Sequence, residues 1–238
     1  FFNNSKYTII FTIILNTKDM KRSVQILVML MACVAVVSCS SKDKTIANLK
    51  AAIDGEVTAV VTYNAYADQA AKDSLNKVEA MFRATSKAES VHLNSHLKAL
   101  KELEDADYKP NIKMVECSST MENLQEAING ETTEFATMYP KFLADAKAEG
   151  AEGAVATFNY ALDAEMQHAK IYAETLSKLT TGVAIDGMYY VCPICGYVYV
   201  GVPESTCKLC KCAAGKFIVY NSEIPTSDSY TGASPKTE

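Results

Sequence analysis

The chain has 238 residues, 49% of them hydrophobic and 21% charged, with ten Gly and six Pro. That balance suits a packed globule and excludes a wholly disordered, collagen-like or purely disulfide-held chain. A formal charge of −5 argues against a nucleic-acid partner, which phosphate contacts would require to meet a basic surface. Of eight cysteines, Cys33 and Cys39 lie near the start, and five fall between Cys192 and Cys212.

The opening forty residues read as an address. Met20 is the first Met, Lys21 and Arg22 make a basic start, and Ile26 to Val37 form an apolar run. A spanning helix needs about 20 apolar residues, so this run suits a signal peptide better than an anchor. It ends Val36-Val37-Ser38-Cys39, resembling a bacterial lipobox, in which the cysteine receives lipid. The expectation is an exported lipoprotein, held to the membrane through a lipid anchor on Cys39 alone. Residues 1–19 then read as upstream, non-native sequence, 20–38 as the leader and 39–44 as a tether.

From Thr45 to Leu179 apolar residues recur at three- and four-residue spacing, the mark of amphipathic helices. Four are expected, at about 45–71, 74–104, 120–148 and 151–179. Thr45 is a candidate cap for the first and Asp73 or Ser74 for the second. Ser119 with Glu122 makes a capping box for the third. Gly150 and Gly153 mark a tight antiparallel turn, whereas 105–118, with Pro110, reads as a long crossover. Four helices with one central crossover make a ferritin-like bundle over 45–179, a mainly α fold.

An internal repeat divides that bundle in two. Leu49-Lys-Ala-Ala-Ile53-Asp-Gly55-Glu56 matches Leu124-Gln-Glu-Ala-Ile128-Asn-Gly130-Glu131, and Glu89-x-x-His92 matches Glu165-x-x-His168. Tyr63 and Tyr139 correspond too, either as core aromatics or as hydrogen-bond donors to a ligating Glu. On a helix, residues three apart share a face, so each Glu-x-x-His presents a carboxylate and an imidazole together. Two such pairs with one Glu from each remaining helix is the donor set of a dinuclear carboxylate site. Glu56, Glu89, Glu131 and Glu165 balance two divalent ions, and buried carboxylates require such neutralisation. Glu134 adds a fifth carboxylate, useful once the metals are oxidised. Mixed imidazole and carboxylate favour iron or manganese, and zinc also fits. His96, one turn past His92, reads as a residue behind the ligands or at the surface.

Beyond a linker at 180–188 the composition changes. Cys192-Pro-Ile-Cys195 and Cys207-Lys-Leu-Cys210 form two Cys-x-x-Cys knuckles, which together give a four-thiolate site for iron or zinc. Short strands around them at 189–220 are too few to hold a domain without the metal. Residues 221–238 read as a disordered tail. Cys117 and Cys212 are left without a disulfide.

These stretches, with Glu131-Thr-Thr-Glu134-Phe-Ala-Thr-Met-Tyr139-Pro-Lys-Phe142 as the most specific, resemble the rubrerythrin family over about 47–220. The resemblance implies a di-iron bundle followed by a rubredoxin-like iron module. It implies two non-haem irons bridged by Glu89 and Glu165, with Glu56, Glu131, His92 and His168 as terminal ligands. Glu134 and His92 would exchange on one iron with redox state. A homodimer is also implied, the cysteine module of one chain serving the bundle of the other. Two features depart from the family. Lys211 stands where the second knuckle usually has Gly, and a lipobox is unusual in a largely cytoplasmic family.

The expected activity is reduction of hydrogen peroxide to water, with electrons relayed through the four-cysteine iron from an unidentified donor. The alternative is a ferroxidase or iron-handling protein, which has no need of an electron-transfer module. A structural zinc-ribbon protein would leave the repeated Glu-x-x-His unexplained.

Overall fold

The computed structural model describes residues 41–104 and 107–222. The leader, Cys39 and most of the expected tail lie outside these residues. Helix α1 spans Asp43–Lys72 and α2 spans Asn76–Leu103. After the crossover come α3, Thr120–Thr133, a π-helical turn at Glu134–Met138, and α4, Tyr139–Ala148. Helix α5, Glu152–Thr181, completes a four-helix bundle in which α3, the π turn and α4 act as one long element. Among the described residues no helix is long and apolar enough to cross a membrane.

The helix starts differ from expectation in two places. Helix α1 begins within the expected tether, with Lys42 at its cap position and no side-chain cap. Thr45 is instead buried, and its backbone N–H and hydroxyl both donate to Glu149, at 2.9 and 2.6 Å. That ties the first turn to the α4–α5 corner. Leu75 precedes α2, again without a side-chain cap. Asp73 turns away from that role to accept from the Thr120 hydroxyl at 2.6 Å, joining the end of α1 to the start of α3. The Ser119–Glu122 capping box of α3 is present with both its hydrogen bonds.

The third long helix is interrupted because of its own sequence. Pro140 has no N–H to continue the ladder, and the backbone N–H of Tyr139 reaches back five residues to the Glu134 carbonyl. The widened turn aims Tyr139 inward, where it is fully buried. Such turns occur mostly as single insertions in helices, frequently at functional sites.

Apolar packing lies in two clusters along the bundle. One joins Tyr63, Tyr66, Phe82 and Tyr172, and the other Leu49, Ile53, Tyr139 and Phe158. Burial of each such side chain contributes about 1.5–3 kcal/mol.

The C-terminal part is a three-stranded antiparallel sheet, β1 (Met188–Val191) between β2 (Val198–Val200) and β3 (Ile218–Asn221). Tyr189, Val191 and Val198 belong to the same apolar cluster as Phe82 and Tyr172, so the sheet is an extension of the helical core. The linker is pinned as well: Lys77 Nζ donates to the Ile185 carbonyl at 2.8 Å, and the Tyr189 hydroxyl donates to the Asp186 carbonyl at 2.9 Å. Strand β3 includes Asn221, paired with Met188, so the expected tail begins too early. Pairing with the middle strand satisfies backbone groups that a disordered segment would leave to water.

Candidate di-metal centre and four-cysteine site

Each bundle helix brings one buried acid to the middle: Glu56 from α1, Glu89 from α2, Glu131 from α3 and Glu165 from α5. His92 and His168 follow one turn after Glu89 and Glu165 and are equally buried. Their donor atoms gather into two sets, Glu56, Glu89, His92 and Glu165, and Glu89, Glu131, Glu165 and His168. Within each set the atoms lie within 4.8 Å of one another, and Glu89 and Glu165 belong to both. The repeat seen in the sequence has thus become a near two-fold arrangement about two shared carboxylates.

The donor side chains converge on common points. His168 Nδ1 lies 2.7 Å from Glu165 and 3.1 Å from Glu89. Even so, Glu89 Oε1, both Glu165 carboxylate oxygens and both His168 nitrogens are buried without a hydrogen bond. Atoms so placed are costly unless a cation sits among them. The donor chemistry therefore fits a pair of metal ions.

Without metal, the cluster's protonation is strained. Burial, then the charges of Glu89 and Glu165, push the Glu131 carboxyl well above the usual range. Burial opposes charge on His168, but Glu89 and Glu165 overcome it and raise the imidazole to about 9. Burial likewise opposes charge on His92, and the charges of Glu165 and Glu56 outweigh it and hold the ring well above its usual value. Those protons occupy the nitrogens that metals would take, so metal binding must release protons.

Glu134 stands apart from both donor sets. It is half-buried, and burial with the nearby charges of Glu56, Glu165 and Glu89 raises its carboxyl well above the usual range. His92 occupies the place beside Glu56 in this arrangement.

Behind the donors the two halves cross. The Tyr63 hydroxyl donates to Glu131 Oε1 at 2.5 Å, and the Tyr139 hydroxyl donates to Glu56 Oε1. Burial and the partner carboxylate keep each phenol protonated, so each remains a donor. The tyrosines fill both roles they allowed: each packs in an apolar cluster and each donates to an acid. His96 extends the second link: it is fully buried, with Nε2 at 3.1 Å from the Tyr139 hydroxyl and Nδ1 at 3.0 Å from the Thr157 hydroxyl. With Tyr139 donating to Glu56, His96 Nε2–H donates to Tyr139, and Nδ1 accepts from Thr157. Thr157 carried no signal in the sequence, because one hydroxyl on a helix resembles any other.

The four-cysteine site is as closed as expected. Cys192, Cys195, Cys207 and Cys210 bring their sulfurs within 4.8 Å of one another. The Cys192–Cys210 and Cys195–Cys207 separations are 3.4 and 3.6 Å, far above a disulfide bond. Sulfurs about 2.3 Å from a central metal stand about 3.8 Å apart in a tetrahedron, close to these values. A hydrogen bond from Cys195, then backbone N–H groups of Ile194 and Cys195, lower the Cys192 thiol to about 5. Both knuckles turn alike: Gly196 N–H donates to the Cys192 carbonyl, and Lys211 N–H donates to the Cys207 carbonyl. Both residues have positive φ, 74° and 64°. Lys211 therefore adopts the conformation that glycine usually supplies. Cys117 and Cys212 are free thiols.

The two sites meet at His92. Its Nδ1 faces Glu165 and Glu89 at 2.9 and 3.0 Å, and its Nε2 lies 3.1 Å from the Cys195 carbonyl. A Cβ on Gly196 would stand 2.2 Å from that nitrogen, so only glycine admits the ring. This contact is made within one chain. The pinned linker and shared core seat the module on the helices of its own chain.

The Rubrerythrin family profile matches residues 47–176. Nigerythrin from Nitratidesulfovibrio vulgaris is 34% identical over 176 residues, covering 74% of this chain and 86% of that protein. The chain belongs to the rubrerythrin family. Rubrerythrin-2 from Clostridium acetobutylicum is 31% identical over 171 residues, covering 71% of this chain and 92% of its own. The solved structure of nigerythrin in a fully reduced, all-ferrous state superimposes with a TM-score of 0.70, at 34% identity over 74% of this chain and 86% of that one. In this rubrerythrin-family chain the carboxylate–histidine donors fit two iron ions, and the four thiolates fit one more.

Proposed function

We propose that this chain reduces hydrogen peroxide to water at the paired carboxylate–histidine site, with electrons returned through the cysteine-bound iron of the same chain. The observation that carries the reading is His92, which touches both sites through its two ring nitrogens. Reduction of one peroxide takes two electrons and two protons and yields two waters. Iron held by these donors would supply the two electrons.

The chain's own groups prepare the rest. Glu89 and Glu165, which belong to both donor sets, would hold both ions, while Tyr63 and Tyr139 keep Glu131 and Glu56 oriented through protonated hydroxyls. Glu134, half-buried and protonated more readily than an ordinary carboxyl, can hold a proton beside the donors at its own oxygen. His92 Nε2–H donates to the Cys195 carbonyl, which fixes the tautomer and leaves Nδ1 for metal.

A Cys192→Ser variant tests the relay. It should keep the di-iron site and react once with peroxide, yet lose repeated turnover with a chemical reductant. Equal steady-state rates for variant and parent would make the module structural, and net iron accumulation without turnover would turn the reading to ferroxidase.

From Lys21, Arg22, the apolar run and Val36-Val37-Ser38-Cys39 we also propose an exported, lipid-anchored protein. One acyl chain anchors only marginally, so two or more are expected on Cys39. Radiolabelled fatty acid should enter the parent and not a Cys39→Ser variant; equal labelling would end this proposal.

A further inference from the structure

A groove of about 630 Å³ runs between α1, α3 and the crossover. Its lining includes the charged side chains Lys113, Glu116, Glu122 and Glu126, the apolar Met114 and Val115, and Tyr63, Gly55, Gly130 and Glu134. None of the six donors lines the groove, but two of its lining residues adjoin them: Tyr63 is bonded to Glu131, and Glu134 lies in the field of Glu56, Glu165 and Glu89. The crossover beside the groove is held to α1 along its first half. The Tyr108 hydroxyl and Asn111 N–H donate to Asp54, and Lys113 N–H donates to Thr58 at 3.2 Å.

Gly55 and Gly130 are the unexpected part of this lining. Each lies inside a helix, where glycine is unfavourable. Neither has a positive φ, and a Cβ built on either would meet nothing within 4 Å. Neither turn geometry nor crowding therefore accounts for them. They are repeat-related, each stands directly before a donor acid, and both open onto the same groove.

We propose that this groove is the entrance through which small ligands of the hydroperoxide class reach the di-metal site, and that Gly55 and Gly130 keep it open. The ligand class rests on the peroxide reading above; the route does not. The volume falls within the range of ordinary ligand pockets and exceeds what hydrogen peroxide needs, so the entrance also admits a small alkyl hydroperoxide.

The test uses the iron-loaded full chain and two single variants, Gly55→Leu and Gly130→Leu. Leucine favours a helix more than glycine does, so both variants should fold and carry iron as the parent does. Azide binding to the oxidised protein, followed by visible absorption, reports access without turnover. The on-rate should fall by about tenfold or more in each variant, with iron content and the azide-free spectrum unchanged. Oxidation of the reduced protein by tert-butyl hydroperoxide should slow further than oxidation by hydrogen peroxide. Parent-like azide on-rates in both variants would place the entrance elsewhere. Should one variant lose iron, the other decides. A parent that binds azide but is not oxidised by either peroxide would overturn the proposed function, while the azide rates would still judge the route.

Discussion

His96 shows how much a single side chain can organise without being a ligand. It is fully buried and completes a directed row of hydrogen bonds, Thr157 to His96 to Tyr139 to Glu56. Replacing it with leucine keeps the volume but leaves the Thr157 hydroxyl without its acceptor and the Tyr139 oxygen without its donor. An unsatisfied buried polar group costs about 1–3 kcal/mol, so His96→Leu should lower unfolding stability by that order in urea titrations of the metal-free protein. It should still bind two irons, since neither donor set includes it. Unchanged stability would show that the row is incidental. Sequence singled out His92 and His168 because each has a Glu one turn earlier. It left His96 open, because a lone histidine four residues further on has no partner visible in the chain.

At the scale of elements, the knuckles and the π turn carry the argument. Gly196 and Lys211 occupy equivalent left-handed turns, but only the first has a reason to be glycine twice over, from its φ and from the His92 ring. Lysine in that region is strained by about 1 kcal/mol or more. Lys211→Gly should therefore make the second knuckle more resistant to thermal loss of its metal, seen as a higher temperature for bleaching of the cysteine-to-iron absorption. A lower temperature would mean that the Lys211 side chain, whose Nζ donates to the Lys208 carbonyl at 2.8 Å, outweighs the backbone strain. The existence of the long helices was legible from apolar spacing, as was the α3 capping box. Their starts at Asp43 and Asn76 were not, because Thr45 and Asp73 found partners more than forty residues away. The π turn was equally hidden: Pro140 announces a break, but not which carbonyl the displaced N–H will take.

For the whole molecule, the question is which bundle a cysteine module serves. Here the linker is tied to α2 through Lys77, and the sheet shares its apolar cluster with Phe82 and Tyr172. A mixture of two inactive chains tests this seating. Glu89→Ala removes a carboxylate shared by both donor sets, and Cys192→Ser removes the relay. If each module serves its own bundle, mixing after co-refolding should leave peroxide turnover near the sum of the two variants alone. Recovery of a substantial share of parent turnover would show modules working across chains, the arrangement that the family resemblance implies.

Sequence by itself determined the chemistry: two Glu-x-x-His pairs, two further acids, and four cysteines in paired knuckles are local patterns, and local spacing on a helix or knuckle already sets which donors face together. It also determined the duplication, because a repeat is written in the chain whether or not it is folded. Only the tertiary structure decided which halves cross, that Tyr63 serves Glu131 and Tyr139 serves Glu56, that Glu134 stands outside the donor sets, and that His92 reaches Cys195. Each of these pairs lies on different elements or depends on the turn between them. The distances are set by the packing of helices and sheet around a common core, and no residue spacing along the chain encodes them.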